Sequence, residues 1–499
     1  MGIIQRQGLK HTIVSYAGVG IGLLSTLFIY PRVTEIYGLF QLLFGSAALC
    51  VSFFSLGFSI QAVKFFPNFK NEENNHNGFL GYLLLGGLVG FVLFLILLPF
   101  VKWLLLDVLF EGKENRELFS RYFYYIIPLV FLLIMNSIFL KFTSNFHRIV
   151  VPNILEQLLI KITLPILTLL VIGSYISTNS FVQGVILNYI LVFVGLVLYL
   201  KFLGQLHLQP KLQFITKARA KEMSEYSLFG LLNSLGSQLA FRIDTLMVAG
   251  MINISSGGVY AIVNVISDVI MKPARGIIAI SSPIISKSWA INDLEEIQMI
   301  YKKSSTILLI IGCFVFLGIW GSIDDLITVM PNSETIRPGK YVILFLGLAK
   351  LFDLSTSVNS EIISYSKAFR FNFYALLILA VLNVIFNLIF IPQYQIVGAA
   401  MATFCSIALF NLVKLIFIWI KFKMQPFSKS TLQILTIVGL NWAIIFFLPL
   451  NFNPIVNILL RSILLTLIYG SLILYFRVSP DVNDMTTNGW KKIKSLINT

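Results

Sequence analysis

The sequence predicts an all-α polytopic membrane protein of about fourteen transmembrane helices, in two six-helix lobes with a pseudo-two-fold arrangement plus two extra C-terminal helices. Three observations carry this. The 499-residue chain is 57% hydrophobic and only 12% charged, with mean hydropathy +0.86. That is too apolar for a soluble domain. Apolar runs long enough to cross a hydrocarbon core of about 30 Å recur from end to end. The loop pattern of the first six runs also returns in the next six.

The runs fall at roughly 11–31, 38–62, 79–101, 121–140, 152–174, 182–203, 226–250, 257–275, 303–322, 341–364, 371–391, 396–419, 430–449 and 455–476. Span 1 follows MGIIQRQGLKH directly and is too long for a signal-peptide core, so it is expected to be retained. A myristoylation signal wants Ser or Thr where Arg6 stands. Cys50, Cys313 and Cys405 fall singly inside spans and read as buried apolar residues, without disulfide or metal spacing.

The net charge of +15 could suggest an anionic partner. Sorted by predicted compartment, however, the excess falls on the loops and tails of one side, and the charges within the spans balance. This is the positive-inside pattern, which predicts cytoplasmic N- and C-termini. No basic domain is left for nucleic acid.

The expected domains are an N-terminal lobe (1–203, spans 1–6), a cytoplasmic linker (204–225), a C-terminal lobe (226–420, spans 7–12) and a final part (421–499) with spans 13 and 14 and a cytoplasmic tail. Each lobe opens with two spans joined at a short turn containing Gly and Tyr: Ile36-Tyr37-Gly38 and Gly258-Val259-Tyr260. Each has one longer charged loop after its third span, Lys102–Ser120 and Gly321–Lys340. An offset of six spans is even, so the lobes keep the same orientation.

The residues that could carry chemistry are polar side chains inside apolar spans, since a charge at mid-bilayer costs roughly 2.5–3.5 kcal/mol and usually faces a bundle interior or a wet cavity. In span 7, Ser234, Gln238, Arg242 and Thr245 share one stripe at helical spacing, with Asn233, Ser237 and Asp244 beside it. Span 8 stacks Asn264, Asp268, Lys272 and Arg275 on one face, after a Gly-rich turn at Asn253–Gly258. Span 10 aligns Lys350, Asp353, Ser357, Glu361 and Ser364, and Lys350 can pair with Asp353 three residues on. Span 5 places Asn153, Gln157 and Lys161 on one face with Glu156 adjacent. The substrate-cavity candidates are therefore Arg242, Asp244, Asp268, Lys161, Lys350, Asp353, Gln238, Asn264 and Lys272. Candidate ion-coupling groups, for H+ or Na+, are Asp244, Asp268, Asp353 and Glu361.

Each has a plainer alternative. Arg242, Asp244 and Asp268 could form a structural ion network, and Lys350 with Asp353 a structural pair. Glu156 and Glu361 lie near span ends and could simply be hydrated. Lys414 in span 12 is expected to snorkel to the boundary, and Arg461 in span 14 reads as a lone cation.

Enzyme chemistry finds little footing. His11, His76, His147 and His207 lie scattered, without metal or acid–base spacing. No GxxxxGK[ST] loop is present. No cofactor or metal is called for. A membrane glycosyltransferase or polysaccharide polymerase is the different-class alternative, and the short external loops leave it little room for an acceptor.

Three stretches bear a resemblance to a known family. They are PRVTEIYGLFQLLFGSAALCVSFFSLGFSIQAVKFFP from Pro31, FRIDTLMVAGMINISSGGVYAIVNVISDVIMKPARGIIAISSPIIS from Phe241, and NVIFNLIFIPQYQIVGAAMATFCS from Asn383. Together the chain resembles the MOP (multidrug/oligosaccharidyl-lipid/polysaccharide) exporter superfamily in its polysaccharide-transporter branch, the O-antigen and capsule oligosaccharide flippases. In the third stretch Gln395 stands where that family commonly has Gly. The resemblance implies two lobes around a central cavity, working by alternating access. It implies a substrate of undecaprenyl-diphosphate-linked oligosaccharide, moved from the cytoplasmic to the outer leaflet of the bacterial inner membrane for lipopolysaccharide, capsule or exopolysaccharide synthesis. The implied partners are that lipid-linked substrate, membrane lipid, H+ or Na+, and other polysaccharide-assembly membrane proteins. Arg242, Lys161 and Lys350 would meet the diphosphate. The balanced charges within the spans keep a cation-coupled multidrug exporter of the same superfamily as the alternative.

Overall fold

A computed structural model describes residues 17–110, 112–146, 150–446 and 450–484. Among them, all regular structure is helical. The start MGIIQRQGLKH with His11, the histidine at 147 and the tail after Asp484 lie outside the described residues.

Each predicted span falls on a helix. They are α1 (Ala17–Phe28), α2 (Thr34–Phe54), α3 (Phe79–Ile96), α4 (Ile126–Ser144), α5 (Leu159–Ile172), α6 (Thr178–Phe202) and α7 (Lys217–Met251). Then come α8 (Ile254–Ala290), α9 (Leu294–Gly321), α10 in two halves (Lys340–Thr356 and Asn359–Tyr365), α11 (370–394), α12 (396–422), α13 (Lys429–Phe446) and α14 (Pro454–Tyr475). Counting 370–422 as one element, nine helices among the described residues are long and apolar enough to cross a membrane, and the bent α10 makes a tenth. The remainder have physical reasons to miss that mark. The described part of α1 begins at residue 17, and the apolar stretch of α7 is interrupted by Asn233, Gln238, Arg242 and Asp244.

Helix starts follow capping chemistry. Ser177 accepts from the Ser180 amide at α6, Thr216 from Arg219 at α7, and Asp293 from Glu296 at α9. At α8 the Asn253 Oδ1 accepts from Ser256 N at 2.7 Å. The helix therefore begins at Ile254, and Gly257 and Gly258, expected in a turn, lie in its first turns.

Three breaks shape the helices. Within α8 a 3-10 turn at Asp268–Met271 precedes Lys272-Pro273, where proline supplies no N–H to the preceding turn. In α10, Ser357 takes φ 45°, ψ −116°, and the two halves bend by 46°. Between α11 and α12, Gln395 takes φ 56°, ψ −136°.

The contacts divide the chain into two bodies, up to Ile262 and from Val263. In the first, α2 packs against α4 and α7, α4 also against α3 and α6, and α5 against α6. In the second, α10 packs on 370–422 and α9 against α8, α10, α13 and α14. Its apolar clusters include Ile285, Tyr301, Ile362 and Ile418 in one, and Leu309, Ile434, Leu465 and Tyr469 in another.

Candidate functional site

The first body contains a cavity of about 550 Å³ between α2, α4, α5, α6 and α7. The polar stripe of α7 forms one wall, through Ser234, Gln238 and Arg242. The facing wall is α5 with the turn before it, where Ile154–Leu158 widens into one π-type turn that brings Glu156 and Gln157 to the cavity. Single π turns inside helices recur at functional sites because they re-aim side chains. Lys161, a turn further on, also lines the cavity and lies against Gly18 of α1.

Arg242 is exposed to the cavity, and its guanidinium sits 5.4 Å from the centre of the Phe44 ring. That face contact holds the cation without consuming its hydrogen-bond donors. Phe44 belongs to a stacked series that runs from Tyr30, in the turn before α2, through Tyr37, Phe40 and Phe44 of α2 to Tyr189 of α6. The Gln238 Oε1 atom is buried with no hydrogen-bond partner among the described residues. The cavity thus combines two cations, one exposed carboxylate at Glu156, amides and hydroxyls inside an apolar body. Such a lining can accept a polyhydroxylated or phosphorylated group while the flanking helices meet lipid.

Asp244 lies elsewhere. Two residues past Arg242 it points off that wall, is 5% exposed, and accepts from the Tyr260 hydroxyl at 3.3 Å. That bond ties α7 to α8, and Asp244 is not among the residues lining this cavity.

In the second body, Lys350 bonds Asp268 at 2.5 Å. The expected pairing of Lys350 with Asp353 gives way to this contact, because the 3-10 turn carries Asp268 across to α10. Asp353 instead accepts from Asn411 of α12 at 2.9 Å. Lys272 is exposed on the same helix as Asp268, and Asn264 is half-buried one turn earlier. Lys414, expected to snorkel, is 1% exposed. Its ammonium bonds Ser360 and lies 4.2 Å from the Phe410 ring centre. Arg461 is not a lone cation, since it pairs with Asp325, which also accepts from Asn457.

Sequence periodicity misses Phe44, Tyr189 and the π turn, and it also misses Ser360 and Asn411 around Lys414, while it places Asn359 off the α10 stripe. Asparagine in an apolar span was the available signal for the last group.

Comparison with known proteins gives a consistent picture. Residues 9–289 match the model of a family described as polysaccharide biosynthesis protein. A probable low-salt glycan biosynthesis flippase of Haloferax volcanii, Agl15, is 23% identical over 298 residues, which are 57% of this chain and 62% of that protein. The solved structure of the lipid II flippase MurJ in an inward closed conformation superposes with TM-score 0.71 at 16% identity, covering 94% of this chain and 99% of the other. An inward-facing multidrug resistance MATE family transporter gives 0.63 at 13% identity, over 81% and 93%. At these identities the structural likeness establishes the fold.

Proposed function

The chain belongs to the polysaccharide biosynthesis protein family, and on that premise we propose that it is a polysaccharide transporter of the MOP exporter superfamily that flips an undecaprenyl-diphosphate-linked oligosaccharide repeat unit. Movement runs from the cytoplasmic to the outer leaflet of a bacterial inner membrane by alternating access, with both termini cytoplasmic. The observation that carries the reading is the cavity of the first body, where Arg242 and Lys161 stand among Gln157, Gln238 and serines within an apolar bundle. A lipid-linked glycan cannot carry its diphosphate and hydroxyls through hydrocarbon unshielded. Cations answer the diphosphate, amides and hydroxyls answer the sugar, and the lipid tail remains in the bilayer. The Haloferax relative, a probable low-salt glycan biosynthesis flippase, supports the same substrate class.

The testing experiment is deletion of the gene in its host with a glycan readout. Surface polysaccharide is stained, and undecaprenyl-linked intermediates are extracted from the cytoplasmic leaflet. Loss of surface polymer with accumulation of a complete lipid-linked repeat unit is expected. Normal surface glycan with new sensitivity to cationic drugs would replace this reading by the multidrug one.

A further inference from the structure

The second body holds a set of ionisable groups that the cavity of the first does not use. Lys414 is a cation buried to 1% exposure. The charges acting on it are Asp353 from the first half of α10 and Glu361 from the second. A continuous hydrogen-bonded chain joins Lys414 to Asp353, and Glu361 stands outside it. The Lys414 ammonium donates to Ser360, and Ser360 Oγ donates to Asn359 Oδ1 at 3.3 Å. Asn359 Nδ2 donates to Asn411 Oδ1 at 2.8 Å, and Asn411 Nδ2 donates to Asp353 Oδ1 at 2.9 Å. Thr356 donates to the same Asn411 oxygen at 2.9 Å. Glu361 Oε2 is buried and has no hydrogen-bond partner among the described residues.

Counting charge decides what this cluster lacks. With Lys414 protonated and both carboxylates ionised, the set carries one net negative charge inside an apolar body. One further positive charge would neutralise it. A metal cation would want the oxygens of Asp353, Asn359, Asn411 and Ser360, but these are already tied to one another and to the Lys414 ammonium. A proton on Glu361 needs none of them, and the buried, unpartnered Oε2 is where it would sit.

We infer that Glu361, Asp353 and Lys414 form a site for one exchangeable proton, carried by the Glu361 carboxyl, with the Lys414 ammonium standing where a metal cation would otherwise bind. Uptake adds one H+ to Glu361 and brings the cluster to neutrality; release returns it to one negative charge. The site straddles the break at Ser357 in α10, so the change in charge falls on the joint between the two halves. Among the described residues, the neighbouring elements supply no buried, unpaired charge of this kind. On α9, Ser304 accepts from Ser357 at 2.8 Å, Tyr301 is a buried hydroxyl, Lys302 is exposed, and Lys303 pairs with Asp481. On α8, Asp268 is taken by Lys350, while Lys272, Arg275 and Lys287 are exposed. On α12 itself, Lys421 lies over Phe417. The assignment of this proton to transport coupling rests on the flippase reading; the proton site does not.

The test is infrared difference spectroscopy of the purified full chain in lipid nanodiscs, titrated in pH with sodium chloride or choline chloride as the only salt. Carboxyl-labelled glutamate separates Glu from Asp bands in the unaltered protein. A protonated Glu carboxyl band that titrates identically in both salts and vanishes in Glu361→Gln is expected. In Lys414→Gln, sodium should displace the band and choline should not. Absence of a titrating Glu band, a band retained in Glu361→Gln, or displacement by sodium in the unaltered protein overturns the assignment. If Glu361→Gln fails to fold, the labelled unaltered protein still decides between proton and sodium. A failure of glycan flipping would leave all these spectra unchanged, so the two readings fall separately.

Discussion

Gly38 of α2 and Gly258 of α8 pack reciprocally, backbone against backbone. A Cβ on Gly38 would strike the Ile254 carbonyl and come 3.0 Å from the Gly258 nitrogen; one on Gly258 would strike the Thr34 carbonyl and come 3.0 Å from the Gly38 nitrogen. Beside them the Thr34 and Ser255 hydroxyls bond at 2.7 Å. Both glycines lie in the two Gly–Tyr motifs of the sequence. Small residues permit this closeness, and any side chain forces the helices apart.

That contact predicts a cross-link. Thr34→Cys with Ser255→Cys should form a disulfide under mild oxidation, and adding Gly258→Val should abolish it. Undiminished cross-linking in the valine variant would show that the helices do not depend on the glycine approach.

Gln395 gives a stability prediction. It occupies a backbone region with positive φ that favours glycine, at a strain of order 1–3 kcal/mol. Gln395→Gly should stabilise the protein by about 1 kcal/mol and raise its thermal midpoint by about 1–2 °C. Thermal unfolding in detergent checks this; a lowered midpoint would mean the glutamine side chain contributes more than the strain.

Arg461 and Asp325 tie α14 to the short helix Ile323–Val329, with side chains only 18% and 14% exposed. Removing one partner leaves the other buried and uncompensated, which typically costs about 3–5 kcal/mol. Arg461→Met should therefore destabilise strongly, and Asp325→Asn in the same chain should recover much of the loss. Equal destabilisation in the single and double variants, measured by chemical unfolding, would argue against the pair.

The sequence made the helices readable because each had to satisfy its own backbone within an apolar run, and that requirement leaves a mark of about 20 residues. It also exposed the α7 stripe, since helical spacing alone sets which of Ser234, Gln238 and Arg242 share a face. Partner choice was less readable. Periodicity relates residues on one helix and so pairs Lys350 with Asp353, whereas in the fold Lys350 bonds Asp268 of α8 and Asp353 accepts from Asn411 of α12. Lys414 looked free to snorkel because its polar surroundings come from α10, which no spacing within α12 reports. Gln395 was visible only as a departure from the resembled family, and its backbone angles explain why glycine is the commoner residue there.

On the proposed function, the cavity of the first body holds the charged head of a lipid-linked glycan through Arg242. The most direct measurement is flipping of a fluorescent undecaprenyl-diphosphate oligosaccharide by the purified protein in liposomes, comparing the unaltered chain with Arg242→Ala and Arg242→Lys. Loss of one charge-assisted contact should slow flipping about tenfold or more in Arg242→Ala, with partial recovery in Arg242→Lys and no change in thermal midpoint. An undiminished rate in a folded Arg242→Ala protein would contradict it.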